Sequence, residues 1–288
     1  MTRAAFWTAP DGVRLRYHDH PDRPGPPPVR LPVVCLPGLS RAARDFDPLA
    51  AWLDRRLIRP EMRGRGGSDR ADPATYTVAH EVGDILGLLD ALGVTRAAFV
   101  GTSRGGLQTM ALAAARPGLV AAAVLNDVGP VLDAEALRVI AAVLSATPHT
   151  LPDWATAAAM LRGGQGAAFD LDDAGWDAFA RRLFADEGGR PARDFDPALA
   201  DATRAALAQP LPDLWPLFDA LAGIPTLVIR GANSVVLTAA TLDAMRARRP
   251  DLRAVEVPGR GHAPFLDEPA AVEAIRALLA QADAGAAS

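Results

Sequence analysis

Ala97-Ala98-Phe99-Val100-Gly101-Thr102-Ser103-Arg104-Gly105 is the stretch that decides how this chain folds. A short apolar run, Ala97 to Val100, has the length of a buried strand. It runs into Gly-x-Ser-x-Gly, and an alanine-rich helical window, Leu107 to Arg116, follows and stops before Pro117. Strand, sharp turn and helix then succeed one another within about 20 residues, with a serine at the apex of the turn. Glycines on either side of that serine are needed sterically, because a strained turn brings backbone so close that side chains must be absent.

Outward from this unit, short apolar runs alternate with longer helical patterns, which predicts a mostly parallel central sheet flanked by helices. Ala5 to Tyr17, broken at Pro10-Asp11-Gly12, reads as a hairpin at the sheet edge, followed by a proline-rich surface connection from Pro21 to Pro28. Strands are expected at Leu31 to Leu36, Leu57 to Pro60, Val120 to Leu125, Thr226 to Ile229 and Ala254 to Val257. Thr77 to Leu92 places Val78, Val82, Ile85, Leu89 and Leu92 on one helical stripe. Glu268 to Ala282 reads as a closing helix with Pro269 in its first turn. From Val131 to Pro212 the pattern is helical throughout, with many alanines and scattered large residues, and no strand is evident. The expected organisation is a core domain of residues 1–130 and 213–288, with residues 131–212 inserted as an all-helical cap over the C-terminal sheet edge. That edge is where open α/β sheets bind ligands.

Composition narrows the function. A formal charge of −4 over 288 residues and no basic run argue against a nucleic-acid surface. No signal segment and no run of about 18 apolar residues is read, so a cytoplasmic protein without membrane contact is expected. The single cysteine, Cys35, lies in an apolar run and reads as a buried core residue. No ligand cluster has metal-binding spacing, so neither metal nor organic cofactor is expected.

A serine hydroxyl needs a base to become a nucleophile. Of five histidines, His18 and His20 flank the proline-rich loop and read as solvated, His80 starts a helix, and His149 falls in the cap. His262, in Gly259-Arg260-Gly261-His262-Ala263-Pro264, lies between the last strand and the last helix, where a loop can carry its imidazole over the sheet edge.

Three further stretches join the Ser103 turn in a resemblance. Val34-Cys35-Leu36-Pro37-Gly38-Leu39, Met62-Arg63-Gly64-Arg65-Gly66-Gly67-Ser68-Asp69 and Gly261-His262-Ala263-Pro264-Phe265-Leu266-Asp267-Glu268-Pro269 stand in the order seen in the α/β-hydrolase fold family. The chain resembles that family's ester-, lactone- and carbon–carbon-bond-cleaving branches over nearly its whole length. The resemblance implies a Ser103 nucleophile, a His262 general base and an oxyanion hole formed by the backbone N–H groups of Leu39 and Arg104. An aspartate nucleophile would be required in the dehalogenase and epoxide hydrolase branches, and Ser103 speaks against both. The glycine-rich loop from Gly64 to Gly67 lacks the lysine and spacing of a phosphate-binding loop.

The third member breaks the pattern. Relatives usually carry the acid after the strand at Thr226 to Ile229, where Val235 stands here, and no carboxylate lies between Ile229 and Thr241. Some branches place it after the preceding strand instead, and Asp127, 24 positions after Ser103, occupies that place. Either Asp127 holds His262, or Val235 marks a lost acid and a catalytically weak small-molecule binder. An acyltransferase, a lyase or a cofactor-free haloperoxidase on the same scaffold would also keep Ser103 and His262. A small-molecule substrate is expected to meet Gly38, Arg104, Val235 and Trp154, with Arg104 either reaching an anionic group or paired with a nearby carboxylate. The sequence leaves the substrate and the oligomeric state open.

Overall fold

A computed structural model describes residues 3–20 and 30–286. The proline-rich connection from Pro21 to Pro28 lies outside the described residues. Eight strands form the central sheet: β1 (Arg3–Thr8), β2 (Arg14–His20), β3 (Val33–Leu36), β4 (Leu57–Pro60), β5 (Ala97–Thr102), β6 (Val120–Asn126), and, after an insertion, β9 (Thr226–Gly231) and β10 (Arg253–Val257). Their order is β1-β2-β4-β3-β5-β6-β9-β10. β1 and β2 form the expected edge hairpin, β2 runs antiparallel to β4, and the rest are parallel.

Each central strand presents alternate residues to two apolar layers. Val34, Leu36, Phe99 and Leu125 face α2 (Val78–Ala91), α3 (Arg104–Ala115), α8 (Trp215–Asp219) and α9 (Ala239–Arg248). Val33, Cys35, Val100 and Val124 face α1 (Asp47–Trp52) and α10 (Pro269–Ala286). Burying each large side chain contributes about 1.5–3 kcal/mol, so the two layers fix which face every strand residue occupies. Cys35 is a core residue as expected, and burial pushes its thiol up to about 12.

Between β6 and α8 lie α4 (Ala134–Ala146), α5 (Trp154–Gln165), α6 (Asp173–Leu183), β7 (Phe184–Glu187), β8 (Arg190–Arg193) and α7 (Ala198–Leu207). The expectation that residues 131–212 are all helical is therefore corrected: β7 and β8 pair as an antiparallel hairpin. Its signal was Gly188-Gly189, both at positive φ (63° and 86°), which supply the two-residue turn such hairpins favour. The insertion packs through two clusters. Phe169, Trp176, Phe179 and Phe184 surround Phe265 of the His262 loop, while Leu144 and Leu199 meet Tyr76 and Leu39.

Candidate active site

β5 extends to Thr102, two residues beyond the expected end, and α3 starts at Arg104 rather than near Leu107. Ser103 is thus the single residue between them, at φ 53° and ψ −116°. A non-glycine residue at positive φ is uncommon and costs about 1–3 kcal/mol where the backbone is strained. Close packing enforces it. A Cβ on Gly105 would lie 2.0 Å from the Leu36 carbonyl oxygen, and one on Gly101 would lie 2.3 Å from that of Gly105. The starting helix also leaves first-turn amides free of internal partners, and the Ser103 side chain does not cap them.

The parallel register brings the other site residues to the same edge. Thr102 pairs with Asn126, the Ser103 N–H donates to the Asn126 carbonyl at 2.9 Å, and the Asp127 N–H donates to the Ile229 carbonyl at 2.7 Å. Ser103 and Asp127 therefore end adjacent strands side by side. Asp127, also at positive φ (56°), is fully buried. Gly38 stands at the end of β3, where a Cβ would lie 3.8 Å from the Ser103 Cβ.

His262 closes the array. Its Nε2 lies 2.9 Å from Ser103 Oγ and its Nδ1 lies 2.7 Å from Asp127 Oδ2. A carboxylate can only accept, so Nδ1 carries the hydrogen and Nε2 faces the serine as acceptor. Asp127 also accepts from the Gly231 N–H at 2.9 Å through Oδ1 and from the Ser234 hydroxyl at 2.5 Å through Oδ2. The His262 loop is anchored on both flanks. The Phe265 N–H and Arg260 Nε both donate to Glu268, and the Phe265 ring stacks on Phe169 with centroids 5.4 Å apart.

Of the residues expected to meet a substrate, three have side chains engaged with protein groups or turned to solvent. The Arg104 guanidinium turns away to Glu81, 2.6 Å from Oε2, and to the Tyr76 carbonyl, so the paired-carboxylate alternative holds. Val235 is 71% exposed and carries its side chain into solvent. Trp154 packs within the insertion beneath the Arg181 guanidinium, 4.5 Å from its ring centroid. His18 is half-buried beside Glu61 rather than solvated, because its strand faces the loop after β4. Ser234 is a member of the array that sequence reasoning passed over. Its signal in the sequence is a hydroxyl one position before Val235, able to donate to Asp127. Arg104 follows Ser103 directly as the first residue of α3, and Leu39 follows Gly38, the residue that lies against the Ser103 side chain. No group of three or more His, Cys, Asp or Glu among the described residues could hold a metal ion. No helix among them is long and apolar enough to cross a membrane.

The sheet order, the strained serine between strand and helix, and the histidine loop define one class of protein, and the sequence comparisons agree. Residues 33–275 match the alpha/beta hydrolase family, and the chain belongs to it. It is similar to a 3-hydroxybutyrate-oligomer hydrolase of Cupriavidus necator, 35% identical over 92% of each chain. It is 31% identical to a 2-(acetamidomethylene)succinate hydrolase of Mesorhizobium japonicum over 78% of this chain and 79% of that one. The crystal structure of an alpha/beta hydrolase from Novosphingobium aromaticivorans superposes with a TM-score of 0.90 at 43% identity, covering 97% of this chain and 98% of that one.

Proposed function

We propose that this hydrolase cleaves an ester or lactone bond of a small molecule through an acyl-enzyme on Ser103. The observation that carries the reading is the unbroken line from Ser103 Oγ through the His262 ring to Asp127, at 2.9 and 2.7 Å. His262 Nε2 takes the hydroxyl proton as Oγ attacks the acyl carbon, and Asp127 steadies the imidazolium that forms. The Leu39 and Arg104 amides face the developing oxyanion, each donor worth about 3 kcal/mol of barrier. The leaving alcohol takes the proton from His262. Water, deprotonated by the same nitrogen, then releases the acid and restores Ser103. The insertion serves as a cap that limits the substrate's size, and one buried thiol with no disulfide partner suits a reducing compartment such as the cytoplasm.

For the substrate, the relative from Cupriavidus necator supports an oxygen ester of a short hydroxy acid. The expected result is that the purified chain releases 3-hydroxybutyrate from its linear dimer and trimer, and p-nitrophenol from the butyrate ester. Release by wild type no faster than by Ser103→Ala for every ester tried would overturn the reading.

A further inference from the structure

Behind the two amides lies a buried charged cluster for which the acyl-transfer steps have no use. Glu81, on α2, is completely buried. Two guanidiniums converge on it. Arg104 Nε donates to Oε2 at 2.6 Å, and Arg65 Nη1 lies 2.8 Å from Oε1, off the line of a hydrogen bond. Gln108 Nε2 donates to Oε2 at 2.7 Å. Burial alone would raise the Glu81 carboxyl, but Arg65 and Arg104 outweigh it and hold it below its ordinary range. Burial pulls the Arg65 guanidinium down to about 10 against the pull of Glu81. Buried ion pairs recover their desolvation cost poorly, so stability alone is a weak reason for this one.

What the cluster touches suggests the reason. Arg65 Nε donates to the Leu39 carbonyl at 2.7 Å, while Arg104 is itself the residue after Ser103. The two residues whose amides face the oxyanion are thus tied, one by its carbonyl and one by its side chain, to a single carboxylate. Arg104 Nη2 also donates to the Tyr76 carbonyl at 2.9 Å, and the Tyr76 hydroxyl donates to Asp196 of the insertion at 2.7 Å. We propose that Glu81 is a positioning residue: through Arg65 and Arg104 it braces Leu39 against the start of α3 and sets the spacing of the two oxyanion donors. The inference rests on the reading of Ser103 as an acyl-accepting nucleophile. Donors act only if fixed before charge develops, and a displacement of about 1 Å costs on the order of 100-fold in rate.

Glu81→Gln keeps the shape but gives the two guanidiniums no full counter-charge. Arg65→Lys keeps the charge beside Glu81 but cannot reproduce the planar fork that donates to the Leu39 and Arg63 carbonyls. Both are expected to lower kcat on p-nitrophenyl butyrate by about 10- to 100-fold while KM stays within about twofold. A trifluoromethyl ketone, whose adduct with Ser103 places an oxyanion in the hole, should lose affinity by the same factor as kcat/KM. A merely structural role would lower the melting temperature and leave that inhibitor's affinity, per folded molecule, unchanged. Should Glu81→Gln be too unstable to assay, Arg65→Lys decides. Wild-type kcat and inhibitor affinity in the variant would overturn the brace. Absence of fluorophosphonate labelling at Ser103 in wild type would instead overturn the nucleophile itself, and the brace with it.

Discussion

Asp127→Asn is expected to lower kcat on an activated ester by about 10⁴-fold at neutral pH, the scale seen when a serine protease loses its triad acid. The amide is nearly isosteric and can still accept from the Gly231 N–H, so the fold should survive, which thermal unfolding by circular dichroism checks. What changes is the proton on the ring. An amide NH2 turned toward Nδ1 demands an acceptor there, which moves the hydrogen to Nε2 and leaves Ser103 facing a donor in place of a base. Val235→Asp should do nothing for the rate. Its side chain is 71% exposed, and the ring nitrogen it would have to reach is already held by Asp127. Near-normal kcat in Asp127→Asn, or a large gain in Val235→Asp, would move the acid back to the loop after β9.

Ser103→Ala and His262→Ala should each reduce kcat by about 10⁶-fold, and the double variant should be no worse than either single one. The reason is chemical. Without the nucleophile the base has no proton to take, and without the base the hydroxyl is as inert as a free serine. On the proposed mechanism, residual turnover would come from the Leu39 and Arg104 amides acting on a water-attacked ester. Initial rates across the four proteins, measured with burst phases to detect an acyl-enzyme, form a double-mutant cycle. Losses that multiply would mean that Ser103 and His262 serve separate tasks, against the 2.9 Å contact between them.

Much of this arrangement was legible before any coordinates. The fully apolar run at Ala97 and the glycines around Ser103 carried the strand, turn and helix, because sterics at a sharp turn leave few residue choices. His262 was legible from its place between the last strand and last helix. Asp127 was legible only as one of two alternatives. Its placement beside Ser103 follows from strand register, which depends on strand neighbours far apart in sequence. The start of α3 was misjudged because Gly105 and Gly106 are poor helix formers. There tertiary packing overrides propensity: a Cβ on Gly106 would meet Val128 Cγ1 at 2.3 Å. The β7–β8 hairpin was hidden by a short run among alanines, and the Arg104 side chain could not be aimed without knowing that Glu81 is buried nearby. The solvent-facing placement of Val235 and the packing of Trp154 against Arg181 were not legible for a related reason, since side-chain direction in a loop or at a helix start follows from local backbone that no periodicity encodes.

The most direct measurement is peptide-level mass spectrometry after a fluorophosphonate is added to the native protein, to Ser103→Ala and to His262→Ala. A stoichiometric phosphonyl group is expected on Ser103 in wild type, none in Ser103→Ala, and strongly slowed labelling in His262→Ala. An unlabelled Ser103 in folded wild type, or labelling that proceeds as fast without the imidazole, would contradict the proposed mechanism.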